Sequence, residues 1–174
     1  AKNIYNETRD YKFSIIQTHF AEARDLKYVV NNYHNRAYNN PELLIFHLEN
    51  SLHKLAAKIQ LESVARIEGV ALIKSEQLLG FKLDSITNMT KGIIFTKEKG
   101  GKVGEVLVTL DTYTDLESYI LEYAKFKIKR QEYYNDLKQA AITSNENSEA
   151  SHGLRWNFAK RRMFEYAKAN YSYD

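Results

Sequence analysis

Apolar residues recur every three or four positions along most of the chain, which is the spacing of an amphipathic α-helix. This pattern predicts helices over residues 9–38 and 41–72, separated at Pro41, since proline is tolerated at a helix start but not inside one. It predicts a third helix that begins at Thr112 or Thr114 and runs to residue 141. The polar stretch 143–150 predicts a loop, and residues 152–170 a last helix with Leu154 and Met163 on its inner face.

A different pattern occupies the middle of the chain. Residues 92–96 and 103–110 read as two strands, and the segment between them contains two glycines and three lysines. Gly100-Gly101 favours a tight turn, so the two strands form a β-hairpin with a lysine-rich tip. The chain is therefore predicted to be an α+β protein, mainly helical, with a small antiparallel sheet. The hairpin tip is either a solvated charged turn or a group of cations placed to reach DNA.

Composition narrows the class of protein. A length of 174 residues suits one domain, or one domain with an N-terminal appendage. The absence of cysteine excludes disulfides, thiolate nucleophiles and cysteine-based metal sites. Because the sequence shows no membrane-length apolar run and no signal peptide, a cytoplasmic protein without a membrane partner is expected. The net charge of +3 is too weak to indicate nucleic acid by itself, but residues 97–102, 125–130 and 155–168 are locally basic.

The strongest candidate chemistry lies at the start of the last helix. His152 and Arg155 stand three residues apart there, which places a proton-transfer group beside a bidentate anion clamp. Arg66 lies in an apolar, small-residue segment and needs either an anion or a carboxylate partner, Glu62 or Glu68, on the surface. We interpret His47 and His53 as packed or surface histidines in preference to a pair of metal ligands.

These parts, in this order, resemble the catalytic domain of the tyrosine recombinases, or phage-type integrases, among them the DNA-binding prophage integrases of Proteobacteria. Residues 65–72 (ARIEGVAL) resemble the family's first-arginine motif. Residues 99–102 (KGGK) resemble its lysine hairpin, although Glu98 replaces a leading glycine. Residues 152–159 (HGLRWNFA) are similar to its His-x-Leu-Arg-His-x-Phe-Ala motif. The expected organisation is an N-terminal helical region, 1–41, and a partial catalytic domain, 42–174.

The resemblance implies roles for individual residues. Arg66 and Arg155 would hold the scissile phosphate, His152 would transfer a proton, and Lys99, with Lys97 as the alternative, would protonate the leaving 5′ oxygen. A tyrosine would form a 3′-phosphotyrosyl link, without a metal or another cofactor. Further contacts to double-stranded DNA are expected from Lys97, Lys102, Lys160, Arg161 and Arg162. The full-length form is expected to act as a homo-oligomer on DNA.

One departure from the family pattern concerns the nucleophile. The family continues beyond the His-x-x-Arg helix to a histidine or tryptophan motif and then the tyrosine, whereas Tyr166, Tyr171 and Tyr173 follow Arg155 too closely. The chain is thus expected to be a fragment or a short form that does not cleave DNA efficiently, with the nucleophile unassigned. Three interpretations stay open: a recombinase domain, a non-catalytic DNA-binding regulator on the same fold, and a helical protein-interaction module.

Overall fold

The structure, a computed structural model, describes residues 35–97 and 99–171. The helix predicted over residues 9–38 lies outside the described residues except for its last four positions, which are not helical. From Arg36 onward the chain forms one compact unit. No helix of the described part is long and apolar enough to cross a membrane.

The described residues contain α-helices and short strands in alternation. The helices are α1 (Pro41–Phe46), α2 (Ser51–Glu62), α3 (Ile67–Val70), α4 (Leu110–Tyr123), α5 (Arg130–Thr143) and α6 (Ala150–Tyr171). The strands are β1 (Leu72–Lys74), β2 (Leu78–Asp84), β3 (Met89–Lys97), β4 (Val103–Val108) and β5 (Lys125–Lys127). Short 3₁₀ turns occupy Ser75–Gln77 and Lys99–Gly101.

The predicted hairpin is confirmed. Strands β3 and β4 pair antiparallel from Gly92↔Val108 to Lys97↔Val103, and β2 pairs with the other edge of β3. The turn between β3 and β4 uses positive φ angles at Gly100 and Gly101, which glycine adopts without steric cost. Strands β1 and β5 form a second, two-stranded antiparallel sheet. The predicted α+β fold with small antiparallel sheets is therefore confirmed.

The prediction of a single helix over residues 41–72 is wrong. Side-chain hydrogen bonds to the backbone end one helix and begin another within this range. Asn50 caps α2 by accepting a hydrogen bond from Leu52 N (2.8 Å). At the other end of α2, Ser63 Oγ donates to Ile59 O (2.6 Å), and the backbone of Ser63 is already extended. The chain therefore leaves α2 at Glu62 and runs extended to Arg66 before the short helix α3.

The helix predicted from Thr112 or Thr114 to residue 141 is also interrupted. Its cap is Thr109, whose N–H and hydroxyl both donate to the carboxylate of Glu62 (2.8 and 3.0 Å). The helix ends at Tyr123, since Ala124 has a left-handed φ of 63°. Strand β5 follows and buries Phe126, so pairing with β1 overrides the helical period at this point.

The core lies between the helices and one face of the three-stranded sheet. Its largest fully buried side chains include Tyr113, Tyr133 and Phe126. The ring of Tyr113 lies directly on Gly92 of β3, where a Cβ would overlap it, so α4 approaches the sheet closely at a glycine. Met163, which the pattern placed on the inner face of α6, is 74% exposed, so that prediction is wrong. Leu154, predicted on the same face, is fully buried.

One ion pair ties the C-terminal half of α6 to the end of β2. Both terminal nitrogens of Arg162 donate to the carboxylate of Asp84 (2.6 Å each), and Nη1 also donates to Glu165 (3.0 Å). Asp84 is only 3% exposed, and the Arg162 guanidinium holds the pKa of its carboxyl well below the usual range. This bidentate pair fixes the direction of α6 across the sheet.

We expect Arg162→Ala to lower the free energy of unfolding by roughly 2 kcal/mol, because it leaves a buried carboxylate without its main partner. The matched control is Arg161→Ala, which removes an exposed pair with Glu42 and should cost less than about 1 kcal/mol. Urea unfolding at neutral pH measures both. Equal costs would show that the Asp84 pair does not hold α6.

Candidate functional site

Three of the sequence-predicted residues meet in one cavity. Arg66, His152 and Arg155 line a depression of about 260 Å³. The other residues that line it are Ile67, Glu68, Tyr134 and Ser151. Arg66 and His152 are more than eighty positions apart in the sequence, so they meet only through tertiary folding.

Arg66 is placed by the extended segment between α2 and α3. The backbone of Arg66 is extended (φ −80°, ψ 161°), and the residue immediately precedes α3. Its neighbour Ala65 is fully buried, and Ala65 O accepts a hydrogen bond from Gln60 Nε2 (3.3 Å). Gln60 in turn accepts from the hydroxyl of the buried Tyr133 (2.8 Å). This buried chain of hydrogen bonds ties the arginine segment to α5.

Arg155 is tied to the same segment. Its Nε donates to the carbonyl oxygen of Val64 at 2.8 Å, two residues before Arg66. An arginine has five N–H donors in a rigid planar fork, and this bond uses one of them to orient the guanidinium. The two arginines of the cavity are therefore positioned relative to each other by a direct contact between α6 and the segment that carries Arg66.

The first turns of α6 are also held by residues 36–40, which we call the strap. Asn157 pairs with the Tyr38 backbone, accepting from Tyr38 N (2.9 Å) and donating to Tyr38 O (2.7 Å). The Tyr38 hydroxyl donates to Ala150 O (2.8 Å). A Cβ at Gly153 would overlap the Tyr38 ring, so the strap crosses α6 at the residue after His152. Glycine at this position allows the close approach.

The electrostatics of the cavity favour an anion. Burial lowers the pKa of His152, and the positive charges of nearby arginines lower it further. In order of effect these are Arg36, Arg155 and Arg66, while Glu149 acts in the opposite direction. A proton on His152 is disfavoured by partial burial and by the neighbouring arginines, and a bound anion would oppose the effect of those arginines.

Of the other predicted cations, those whose side chains the structure describes lie outside this cavity. Lys97 ends β3 and Lys102 follows the turn, both exposed on the hairpin, and Lys99 lies in the turn itself. Lys160 is exposed on α6. Arg161 donates a hydrogen bond to Glu42 at the surface (3.0 Å). The guanidinium of Arg162 forms an ion pair with the carboxylate of Asp84. The last pair makes Arg162 a weaker candidate for DNA contact than its sequence position indicates.

Both carboxylates considered as partners for Arg66 also contact other residues. Glu62 accepts hydrogen bonds from Thr109 and Thr112 and so joins α2 to α4. Glu68 lines the cavity and lies 3.8 Å from Arg130 on α5.

Sequence reasoning missed Tyr134 and Ser151. Ser151 could have been inferred from its place beside His152, whereas nothing local marks Tyr134, which reaches the cavity through the packing of α5.

Among the described residues, the two histidines outside the cavity, His47 and His53, pack against neighbouring side chains, as the sequence indicated. His53 is 5% exposed, and its Nδ1 lies 2.7 Å from Asp136, whose other contacts are backbone N–H groups at the start of α2. His47 contacts the Phe46 ring edge-on. Within residues 35–97 and 99–171, no group of three or more His, Cys, Asp or Glu residues is arranged to hold a metal ion.

Comparison with solved structures identifies the fold. The unit is similar to the XerH site-specific recombinase bound to palindromic difH substrate in a post-cleavage complex, with a TM-score of 0.53 and 15% identity over 71% of this chain. It is equally similar to a pre-cleavage complex of XerH with difH substrate, with a TM-score of 0.52 and 15% identity over 72% of this chain. The matched region is 41% of each XerH chain, so this chain spans about two fifths of their length. No protein-family model and no curated protein matches the sequence. At this identity the likeness shows the fold alone, and that fold is shared with the XerH site-specific recombinase.

Because the pKa of His152 is lowered in the folded protein, the free energy of unfolding depends on pH in a defined direction. The unfolded chain restores the ordinary value of about 6.5, so between the two pKa values the unfolded state binds more protons. Stability therefore falls as the pH falls through that window, and His152→Gln should remove this part of the loss. Urea unfolding of both proteins across the window tests this, and an equal or steeper loss in the variant would contradict it.

Proposed function

We propose that this unit binds duplex DNA by holding a backbone phosphate between Arg66, His152 and Arg155, as the phosphate-gripping part of a phage-type integrase. The observation that supports the proposal most strongly is the shared cavity of these three side chains. The recombinase fold supports the choice of DNA as the ligand, since the XerH structures contain their difH substrate.

The chemistry of the three residues suits a phosphodiester. A guanidinium keeps its charge at all physiological pH values, and its planar fork donates two parallel hydrogen bonds to the non-bridging oxygens. Arg155 is already oriented by Val64 O, so little side-chain entropy is lost when phosphate binds. The two arginines also supply the positive charge that a pentacoordinate phosphorus transition state requires, and the neutral His152 is left to accept a proton.

The proposed reaction is DNA breakage and rejoining through a phosphotyrosyl intermediate. A tyrosine oxygen attacks phosphorus, forming the 3′-phosphotyrosyl bond and breaking the bond to the 5′ oxygen. His152 accepts the tyrosine proton, and Lys99, from the hairpin turn, supplies a proton to the leaving oxygen. The nucleophilic tyrosine is not assigned. Rejoining reverses these steps, and the complete protein performs them as a homo-oligomer on its DNA site, with Lys97, Lys102, Lys160 and Arg161 contacting the flanking backbone.

DNA affinity should depend on the cavity more than on the basic face of α6. We expect Arg155→Ala to weaken binding of a short duplex roughly tenfold at low salt, because it removes charge-assisted hydrogen bonds to phosphate. Arg161→Ala, which removes one exposed arginine of the same helix, should weaken it less. Fluorescence anisotropy measures both, with thermal unfolding as the control for folding. Equal losses would indicate diffuse charge instead of a phosphate site.

A further inference from the structure

Arg36 lies next to the candidate site but belongs to none of its sequence motifs. It opens the strap, and its carbonyl oxygen would lie 3.0 Å from a Cβ placed on Gly153. The backbone of Arg36 therefore touches α6 one residue after His152. The hydrogen bonds of Tyr38 to Ala150 and Asn157 hold the strap at this position.

The side chain of Arg36 is oriented by a carboxylate from the loop before α6. Its Nε donates to Glu149 Oε2 at 2.7 Å, and Glu149 O accepts from Gly153 N (3.3 Å). The Arg36 side chain is 40% exposed whereas that of Glu149 is 14% exposed, so the cation is the member of the pair that solvent reaches. The bond to Glu149 uses one of the five guanidinium donors.

We infer that Arg36 is a further DNA-binding residue, which contacts the phosphate next to the one held by Arg66 and Arg155. This inference rests on the proposed function. A DNA strand carries a phosphate at every nucleotide, so a cation at the edge of a phosphate cavity meets a neighbouring phosphate of the strand bound there. The effect of Arg36 on His152 supports its position near the cavity. Arg36 lowers the pKa of that histidine more than Arg155 or Arg66 does.

The ion pair with Glu149 holds the Arg36 guanidinium in one position, whereas a surface lysine without such a pair is mobile. Glu149 holds the guanidinium beside the cavity before DNA arrives, which lowers the entropy cost of the contact. The strap ties the same arginine to the first turns of α6. The Arg36 side chain and the cavity therefore have fixed relative positions. Together they bind two successive phosphates of the DNA strand.

The test measures duplex affinity by fluorescence anisotropy at several salt concentrations between about 50 and 200 mM, for the wild type and Arg36→Gln. We expect Arg36→Gln to weaken binding roughly tenfold at low salt and to reduce the slope of log affinity against log salt by about 1, the value for one lost phosphate contact. The matched control is Lys58→Gln, which removes one charge from an ion pair with Asp115 at a similar exposure of 44%. Its slope should stay at the wild-type value.

A second variant separates DNA contact from a structural role of the ion pair. Glu149→Gln breaks the same pair but keeps the cation, so its salt slope should remain that of the wild type. A slope in Glu149→Gln reduced as much as in Arg36→Gln would show that the pair only supports the fold, and would overturn the inference. An unchanged slope in Arg36→Gln, with Arg155→Ala still weakened, would overturn the inference alone. A wild type that binds no duplex would overturn the proposed function with it.

Discussion

The placement of the first turns of α6 is the constraint on which the candidate site depends. On one side Arg155 donates to Val64 O, which joins the helix to the segment carrying Arg66. On the other side Asn157 exchanges two hydrogen bonds with the strap at Tyr38. These bonds end on backbone atoms of Val64 and Tyr38. They therefore determine the position of α6 relative to both backbone segments. Loss of either attachment would move His152 relative to Arg66 and separate the cations that form the cavity.

Behind these attachments lies a buried polar chain. Tyr133 donates to Gln60, and Gln60 donates to Ala65 O, in a region where both side chains are fully buried. An unsatisfied polar group at that depth would cost about 1–3 kcal/mol, so each member requires its neighbour. The consequence for function is a rigid support. The helix α5 holds the extended segment between α2 and α3, and that segment presents Arg66 at the cavity.

Local patterns predicted the features that depend on neighbouring residues. The hairpin follows from Gly100-Gly101 between two strand-like runs, and the helix at His152 follows from its apolar period. The end of α2 at Ser63 and the start of α4 at Thr109 could not be predicted, because Ser63 Oγ donates back to Ile59 O and Thr109 is bound by Glu62, 47 positions earlier. Arg161 and Arg162 are neighbours in sequence, yet only Arg162 meets a buried carboxylate. Arg36 contacts Glu149, just before α6, from a strap more than a hundred positions earlier in the sequence.

The proposed phosphate site is the cavity formed by Arg66, His152 and Arg155. Its most direct test is an NMR titration of the arginine Nε–Hε signals with a short duplex, with Arg161 as an internal reference on the same helix. We expect the Arg66 and Arg155 signals to shift strongly and to saturate together, while the Arg161 signal shifts less. Shifts that are largest at Arg161, with the Arg66 and Arg155 signals unmoved at saturation, would contradict it.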